Sequence, residues 1–255
     1  MWYVTGDTHG NINRYKSFLD PYLKQGDVII VLGDWGFIFE PNKAKEEFMD
    51  WIEQERSYYD ICFVDGNHEN FDRLNTEYAV ELWNGGKVHR IRRNIRHFMR
   101  GQIYTIPELD NKRIFTMGGA YSFDAARRME GYDWFPAEMP CEEEYNEARN
   151  NLQKAGCQID YILTHTSPED TLPFFAMDYY PKMLSITEPH EKPITCFLQW
   201  IAETVSYDRW YFGHMHKDKE LWRRQTVVLN AIRELASGKV INEKDIRNMH
   251  KSLLP

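Results

Sequence analysis

Little in this 255-residue chain ties it to a membrane, an oxidising compartment or nucleic acid. No apolar run reaches the roughly 20 residues that a membrane-spanning helix needs. Met1 leads straight into Trp2-Tyr3-Val4, which leaves no room for a secretory leader, so a cytoplasmic protein is expected. The four cysteines, Cys62, Cys141, Cys157 and Cys196, lie far apart and form no C-x-x-C pair. That spacing suits neither a zinc knuckle nor a disulfide framework, and reduced thiols are expected. Positive charge is in deficit, with 31 Lys and Arg against 39 Asp and Glu and a net charge of -8. A sequence-independent nucleic-acid binder would carry a basic face, so nucleic acid is not the expected partner. An anionic substrate stays open, because bound metal ions can dominate the charge of a local site. Repeats, low-complexity tracts and linkers are also missing, and a single domain over residues 1–255 is the simplest expectation.

Aromatic residues, in contrast, make up 15% of the chain, and the apolar runs are short and regularly punctuated. Trp2-Tyr3-Val4 reads as a buried strand that ends in Gly6-Asp7-Thr8-His9-Gly10. The glycines allow a tight turn from which Asp7 and His9 leave on one side, a grip for a divalent metal or simply a capped turn. Ile12, Tyr15, Phe18, Leu19, Tyr22 and Leu23 recur at helical spacing, with Pro21 breaking the last turn. Residues 28–32 form an apolar run of the kind buried on both faces, ending in Gly33-Asp34-Trp35-Gly36. Phe48, Trp51, Ile52 and Tyr59 mark the inner stripe of a helix begun near Pro41. The run 61–64 ends in Asp65-Gly66-Asn67-His68-Glu69-Asn70. Strand, helix, strand, helix, strand predicts a mostly parallel sheet with its site at the carboxyl ends of the strands.

Segments 87–92, 95–99, 102–106 and 113–117 predict an antiparallel meander. His97 lies in a basic stretch (Arg90, Arg92, Arg93, Arg96, Arg100) that reads as a solvated strand face or a contact for an anionic ligand. Residues 120–140 are aromatic, charged and aperiodic, and are expected to form a long ordered loop or small cap. A helix is predicted over 142–154 and a strand over 161–163, leading into Thr164-His165-Thr166-Ser167-Pro168. A Pro- and aromatic-rich loop is expected to run to about Pro189, then a helix containing Phe197, Leu198, Trp200 and Ile201. Strand 210–212 delivers Gly213-His214-Met215-His216. Strands at 219–222 and 226–229 and a short polar helix finish the chain. His89, His97, His190 and His250 fall outside the strand-end clusters and read as surface or packing residues.

In order, the clusters are Gly-Asp-Thr-His-Gly, Gly-Asp-Trp-Gly, Gly-Asn-His-Glu, Thr-His-Thr and Gly-His-Met-His. This series resembles the signature of the calcineurin-like metallophosphoesterase superfamily: D-x-H, G-D, G-N-H-[DE], a lone His, then G-H-x-H. The resemblance implies an α/β fold, an αββα sandwich of two mixed sheets flanked by helices. It also implies two divalent cations about 3.5–4 Å apart. One would be held by Asp7, His9 and His216, the other by Asn67, His165 and His214, with Asp34 bridging. Manganese is the first choice of metal, with iron, zinc or nickel also compatible with such donors. A neutral amide at Asn67 leaves the site locally positive, so it attracts phosphate. The implied reaction is hydrolysis of a small phosphate ester, a nucleotide or phosphodiester, by a metal-bridging hydroxide. His68 would protonate the leaving oxygen or steady the transition-state charge.

The match is not uniform across the superfamily's branches. Phe37 and Ile38 follow Gly-Asp-Trp-Gly, so the Asp and Arg of the phosphoprotein-phosphatase block G-D-x-x-D-R-G are missing. Nuclease action on single strands, phosphomonoesterase or protein phosphatase activity and a non-catalytic scaffold are the alternatives. What remains resembles the small bacterial and phage members, in which a Gly-Gly-Ala-Tyr-Ser segment, here 118–122, precedes an Arg- and Trp-bearing loop. By position that loop would overhang the metals. Arg127 or Arg128 would clamp phosphate, Tyr121 or Trp134 would stack on a base, and Asn70 would offer a further phosphate contact.

Overall fold

The computed structural model describes residues 1–176 and 181–246, with side chains at all of these except 176 and 181–188. Two sheets face one another. Strands β1 (Trp2–Thr5), β2 (Val28–Leu32), β3 (Asp60–Val64), β4 (Ala79–Trp83), β5 (Gly86–Arg92) and β6 (Ile95–Phe98) belong to the first. The second holds β7 (Ile103–Ile106), β8 (Lys112–Met117), β9 (Tyr161–Thr164), β10 (Arg209–Phe212), β11 (Lys219–Glu220) and β12 (Gln225–Val227). β13 (Arg233–Glu234) returns to the first sheet beside β1. The orders are β13-β1-β2-β3-β6-β5-β4 and β11-β12-β10-β9-β8-β7. β1, β2, β3 and β6 are mutually parallel, as are β12, β10, β9 and β8, and the antiparallel pairs lie at the edges.

Side-chain alternation along the central strands sets the layers. Ile30 and Leu32 of β2 point between the sheets, where they meet Leu163 and Tyr211 of the second sheet. Ile29 and Val31 face outward onto Phe48, Met49 and Ile52 of helix α2 (Lys43–Glu55). The outer face of the second sheet (Phe115, Ile162, Trp210, Phe212) is covered by α4 (Glu142–Lys154) and α6 (Pro181–Thr204). The result is the expected αββα sandwich. Local signals start the helices: Asn42 accepts from the Ala44 and Lys45 amides at the head of α2, and Glu144 accepts from the Cys141 amide before α4.

Four sequence expectations change. The 87–117 meander is divided, with β5 and β6 in one sheet and β7 and β8 in the other. Val88 and Phe98 of the first sheet meet Tyr104, Ile106 and Ile114 of the second in the core between the sheets, so the chain crosses from one sheet to the other after β6. Helix α3 (Phe71–Glu77) and strand β4 are additional: α3 buries only Phe71 and Leu74, and the largely exposed edge strand β4 has too few buried positions to alternate. The loop expected up to Pro189 is instead α5 (Leu172–Ala176) and α6, with residues 177–180 outside the described residues. Pro189 and Pro193 lie inside α6, one turn apart, so the backbone bonds each removes fall on one side of the helix. Finally, the basic stretch is no free solvated face. Arg90 pairs with Glu81, Arg92 with Glu46 and Asp50, Arg96 with Asp60, and buried Arg100 with Asp65 and Glu144.

The Ile12–Leu23 stretch is a short helix α1 (Ile12–Arg14) that widens over Tyr15–Leu19 and tightens at Asp20–Tyr22 around Pro21. All four cysteines are free. Among the described residues no helix is long and apolar enough to cross a membrane. Residues 243–246 are helical, and residues 247–255, His250 among them, lie outside the described residues.

Candidate metal centre

Each polar cluster begins where a parallel strand stops. β1 hands over to Asp7 and His9, β2 to Asp34, β3 to Asn67 and His68, β9 to His165, and β10 to His214 and His216. The carboxyl ends of these strands converge, and so do the side chains. Sharp turns aim them: His9, Asp34, His214 and His216 all adopt φ between 47° and 61°. That left-handed backbone costs a non-glycine residue about 1 kcal/mol or more. Glycine is needed where the turns touch, because a Cβ on Gly33 would collide with the His165 ring and one on Gly66 with Asp34. Glu69 fixes the turn after Asp34 by accepting from the Trp35 and Gly36 amides at 2.7 and 3.3 Å.

Two pairs of donor atoms face each other. His9 Nε2 lies 3.1 Å from His216 Nε2, and His216 Nε2 lies 3.7 Å from Asp7 Oδ2. Deeper in, His165 Nε2 lies 3.2 Å from Asn67 Oδ1 and 3.5 Å from Asp34 Oδ1. Asp34 stands between the pairs, with Oδ2 3.9 Å from His9 Nδ1. Atoms of Asp7, Asp34 and His165 able to ligate a metal lie within 4.8 Å of one another, as do those of His9, Asp34 and His68. The His214 amide donates to both Asp7 oxygens at 3.1 Å, and its ring packs 4.9 Å from that of His165. Nε2 of His214 stands 3.6 Å from Oε1 of Glu191, a buried carboxylate on α6.

The protons show what this arrangement lacks. His165 Nδ1 donates to the Leu32 carbonyl at 2.8 Å, so the neutral ring aims a lone pair from Nε2 at the Asn67 oxygen, itself an acceptor. Burial pushes the His165 and His9 imidazoles down to about 4. Asp7 and Asp34 are buried, and among the described residues no Lys or Arg side chain forms an ion pair with either. Arg14, the nearest guanidinium, donates instead to the Asp7 and Leu229 backbone carbonyls. Burial and repulsion from Asp34 raise the Asp7 carboxyl well above the usual range. Burial works in the same direction on Asp34, but the imidazoles of His165, His68 and His9 hold it low. Carboxylate, amide and imidazole acceptors converging with no cationic side chain to pair them fit divalent cations. Two donors at right angles on a cation about 2.1 Å away stand about 3 Å apart, the spacing of both pairs.

Around this group, the 120–140 segment is ordered loop with short turns at Ala125–Arg127 and Pro136–Glu138. Of its two candidate phosphate clamps only Arg128 reaches the cluster, with Nη1 3.5 Å from His68 Nδ1 and Nε paired to Asp124 at 2.7 Å. Arg127 is exposed on the loop. Tyr121 stacks on His190 at 4.5 Å, and the Trp134 indole donates to Glu138 at 2.9 Å, so both rings are engaged within the protein. Asn70 is committed elsewhere: its oxygen caps α3 at the Arg73 amide and its nitrogen donates to the Phe39 carbonyl. Phe39 itself flanks His68 at 5.7 Å. Sequence reading missed Ser122 as a contact, and Glu138, Glu191 and Glu69 as buried carboxylates serving the site. Ser122 and Glu69 at least sit inside recognisable blocks, whereas nothing around Glu138 or Glu191 signals burial.

Carboxylate, amide and imidazole donors gathered at the strand ends of an αββα sandwich define a metal-dependent phosphoesterase. The chain belongs to the calcineurin-like phosphoesterase family, whose sequence model matches residues 3–218. Members of that family typically use a dinuclear divalent metal centre. A comparison with curated proteins returned no match.

Proposed function

We propose that this phosphoesterase hydrolyses a small phosphate ester, a nucleotide or phosphodiester, at a two-metal site. In this reading Asp7, His9 and His216 hold one ion, Asn67, His165 and His214 hold the other, and Asp34 reaches both. The observation that carries it is the facing of two acceptors with no proton between them, His165 Nε2 on Asn67 Oδ1 at 3.2 Å, beside the approach of His9 Nε2 to His216 Nε2 at 3.1 Å. Bound divalent ions supply Lewis acidity and a lowered pKa for water.

The protein's own groups do the rest. Asp34 is held between the two donor pairs by the His68 amide at 2.8 Å. Burial and the Arg128 guanidinium lower the His68 pKa against the opposing pull of Asp34. Arg128 faces Nδ1, which leaves the ring proton on the opposite nitrogen, from which His68 would donate a hydrogen bond to the leaving-group oxygen. Arg128 also brings positive charge beside His68, where it would favour a bound phosphate. Pairing of the basic strand residues with acids of the same chain supports a small-molecule substrate over nucleic acid.

The test is hydrolysis of bis-p-nitrophenyl phosphate against p-nitrophenyl phosphate, with Mn²⁺ supplied first and bound metal counted by elemental analysis. Turnover of the diester with two ions per chain is expected. Faster monoester turnover would move the substrate class, and cleavage of a single-stranded oligonucleotide would favour a nuclease. Metal-loaded protein inert on all three would overturn the reading.

A further inference from the structure

An amide ligand has a problem that a carboxylate lacks: rotated by half a turn, it presents N–H groups where a cation needs oxygen. The structure answers this at Asn67 from an unexpected direction. Asn67 Nδ2 donates to Ser122 Oγ at 3.1 Å. The Ser122 hydroxyl in turn donates to Glu138 Oε2 at 2.6 Å. Oε1 of Glu138 accepts from the Ser122 amide at 2.7 Å and from the Trp134 indole at 2.9 Å. All of these atoms can play only one part. A carboxylate accepting three donors obliges the serine hydroxyl to point its proton at Glu138, which leaves its lone pairs for Asn67. The amide nitrogen is thereby pinned, and Oδ1 is turned toward His165.

The relay is buried and held from two sides. Ser122 and Glu138 are each 1% exposed. The Glu138 turn is held from its far side by Arg100, whose Nη2 donates to the Ala137 and Glu138 carbonyls at 2.9 and 3.0 Å. Its near side is set by Gly119, at φ +97°, where a Cβ would lie 2.7 Å from the Glu138 carbonyl oxygen. The Gly119 amide bonds the Asp65 carbonyl at 3.0 Å, tying the loop to the strand end that carries Asn67.

We infer that the 120–140 segment is a brace for the second metal subsite, in which Glu138 and Ser122 are positioning residues that lock the Asn67 amide with its oxygen toward the ion. This rests on Asn67 being a ligand, as proposed above. Partners of this kind around a metal ligand change affinity by about 10–100-fold when removed. The experiment is Mn²⁺ titration of metal-stripped full-length protein by calorimetry, with the first and second ions resolved. Ser122→Ala and Glu138→Gln should bind the first ion as wild type does and the second about 10–100-fold more weakly. In an Asn67→Ala background, Glu138→Gln should add nothing further, because the relay then has nothing to orient. Wild-type affinity for the second ion in both single variants, with Asn67→Ala impaired, would overturn the brace while leaving the ligand assignment standing. Wild-type binding of both ions by Asn67→Ala would instead remove Asn67 from the ligand set, and the brace with it. Should Glu138→Gln fail to fold, Ser122→Ala decides the matter, since it leaves the Ser122 amide and Trp134 bonds to Glu138 intact.

Discussion

Asp65 and Asp34 are both buried carboxylates just past the end of a parallel strand, yet they sit in opposite chemical company. Arg100 meets Asp65 at 2.6 Å and His97 Nε2 meets it at 3.0 Å, and Arg100 goes on to Glu144. Every charge in that cluster is answered inside the protein. Among the described residues Asp34 is met by imidazoles and a backbone amide, with Asp7 and Glu69 adding further carboxylates to the same region. A buried charge without a partner costs several kcal/mol, so a fold keeps such a group only where something from outside completes it. The first cluster is therefore architecture, whereas the second offers the donors that the proposed cations would need.

Substitutions can break this contrast. Asp34→Asn should cut turnover by on the order of 10³-fold and lower bound metal, with the melting temperature of the metal-free protein unchanged or raised. Asp65→Asn should do the reverse, lowering unfolding free energy by about 3–5 kcal/mol because Arg100 is left buried and unpaired. Urea unfolding and kinetics on the two variants would check both, and a large loss of turnover from Asp65→Asn without destabilisation would erase the distinction. His68→Ala sharpens the point within the site. A fall in kcat of about 10²-fold or more is expected with metal content unchanged, and metal lost in parallel with activity would make His68 a ligand instead.

The smallest effect lies behind Asp65. Burial and the neighbouring His97 push the His89 pKa down to about 4, against an ordinary value near 6.5. Between those values the unfolded chain binds a proton that the folded one refuses, so stability falls as pH drops from about 6.5 to about 4. His89→Gln should remove about 2 kcal/mol of the stability difference between pH 7 and pH 5, measured by urea unfolding.

How far the sequence reveals this depends on range. The strand-end clusters are legible because each is local, a run such as 28–32 followed at once by Gly33-Asp34, and β1, β2, β3, β9 and β10 all appear where those runs stand. Helix α4 is equally plain, from the acidic first turn at Glu142 to its end at Lys154. Strand β4 and the early start of α6 are hidden because exposed residues and prolines mask their periods. The role of Glu138 is hidden for a different reason. Its three donors come from Ser122 and Trp134, brought together by an aperiodic loop, and no residue pattern announces a bond across such a loop.

The left-handed backbone at His9, Asp34, His214 and His216 has a consequence for anyone hoping to move this site elsewhere. Those bends are imposed by two completed sheets, and a free peptide carrying the same residues would relax out of them. Copying the side chains onto another scaffold would transfer the donors and lose their aim. What must be transplanted is the set of strand ends.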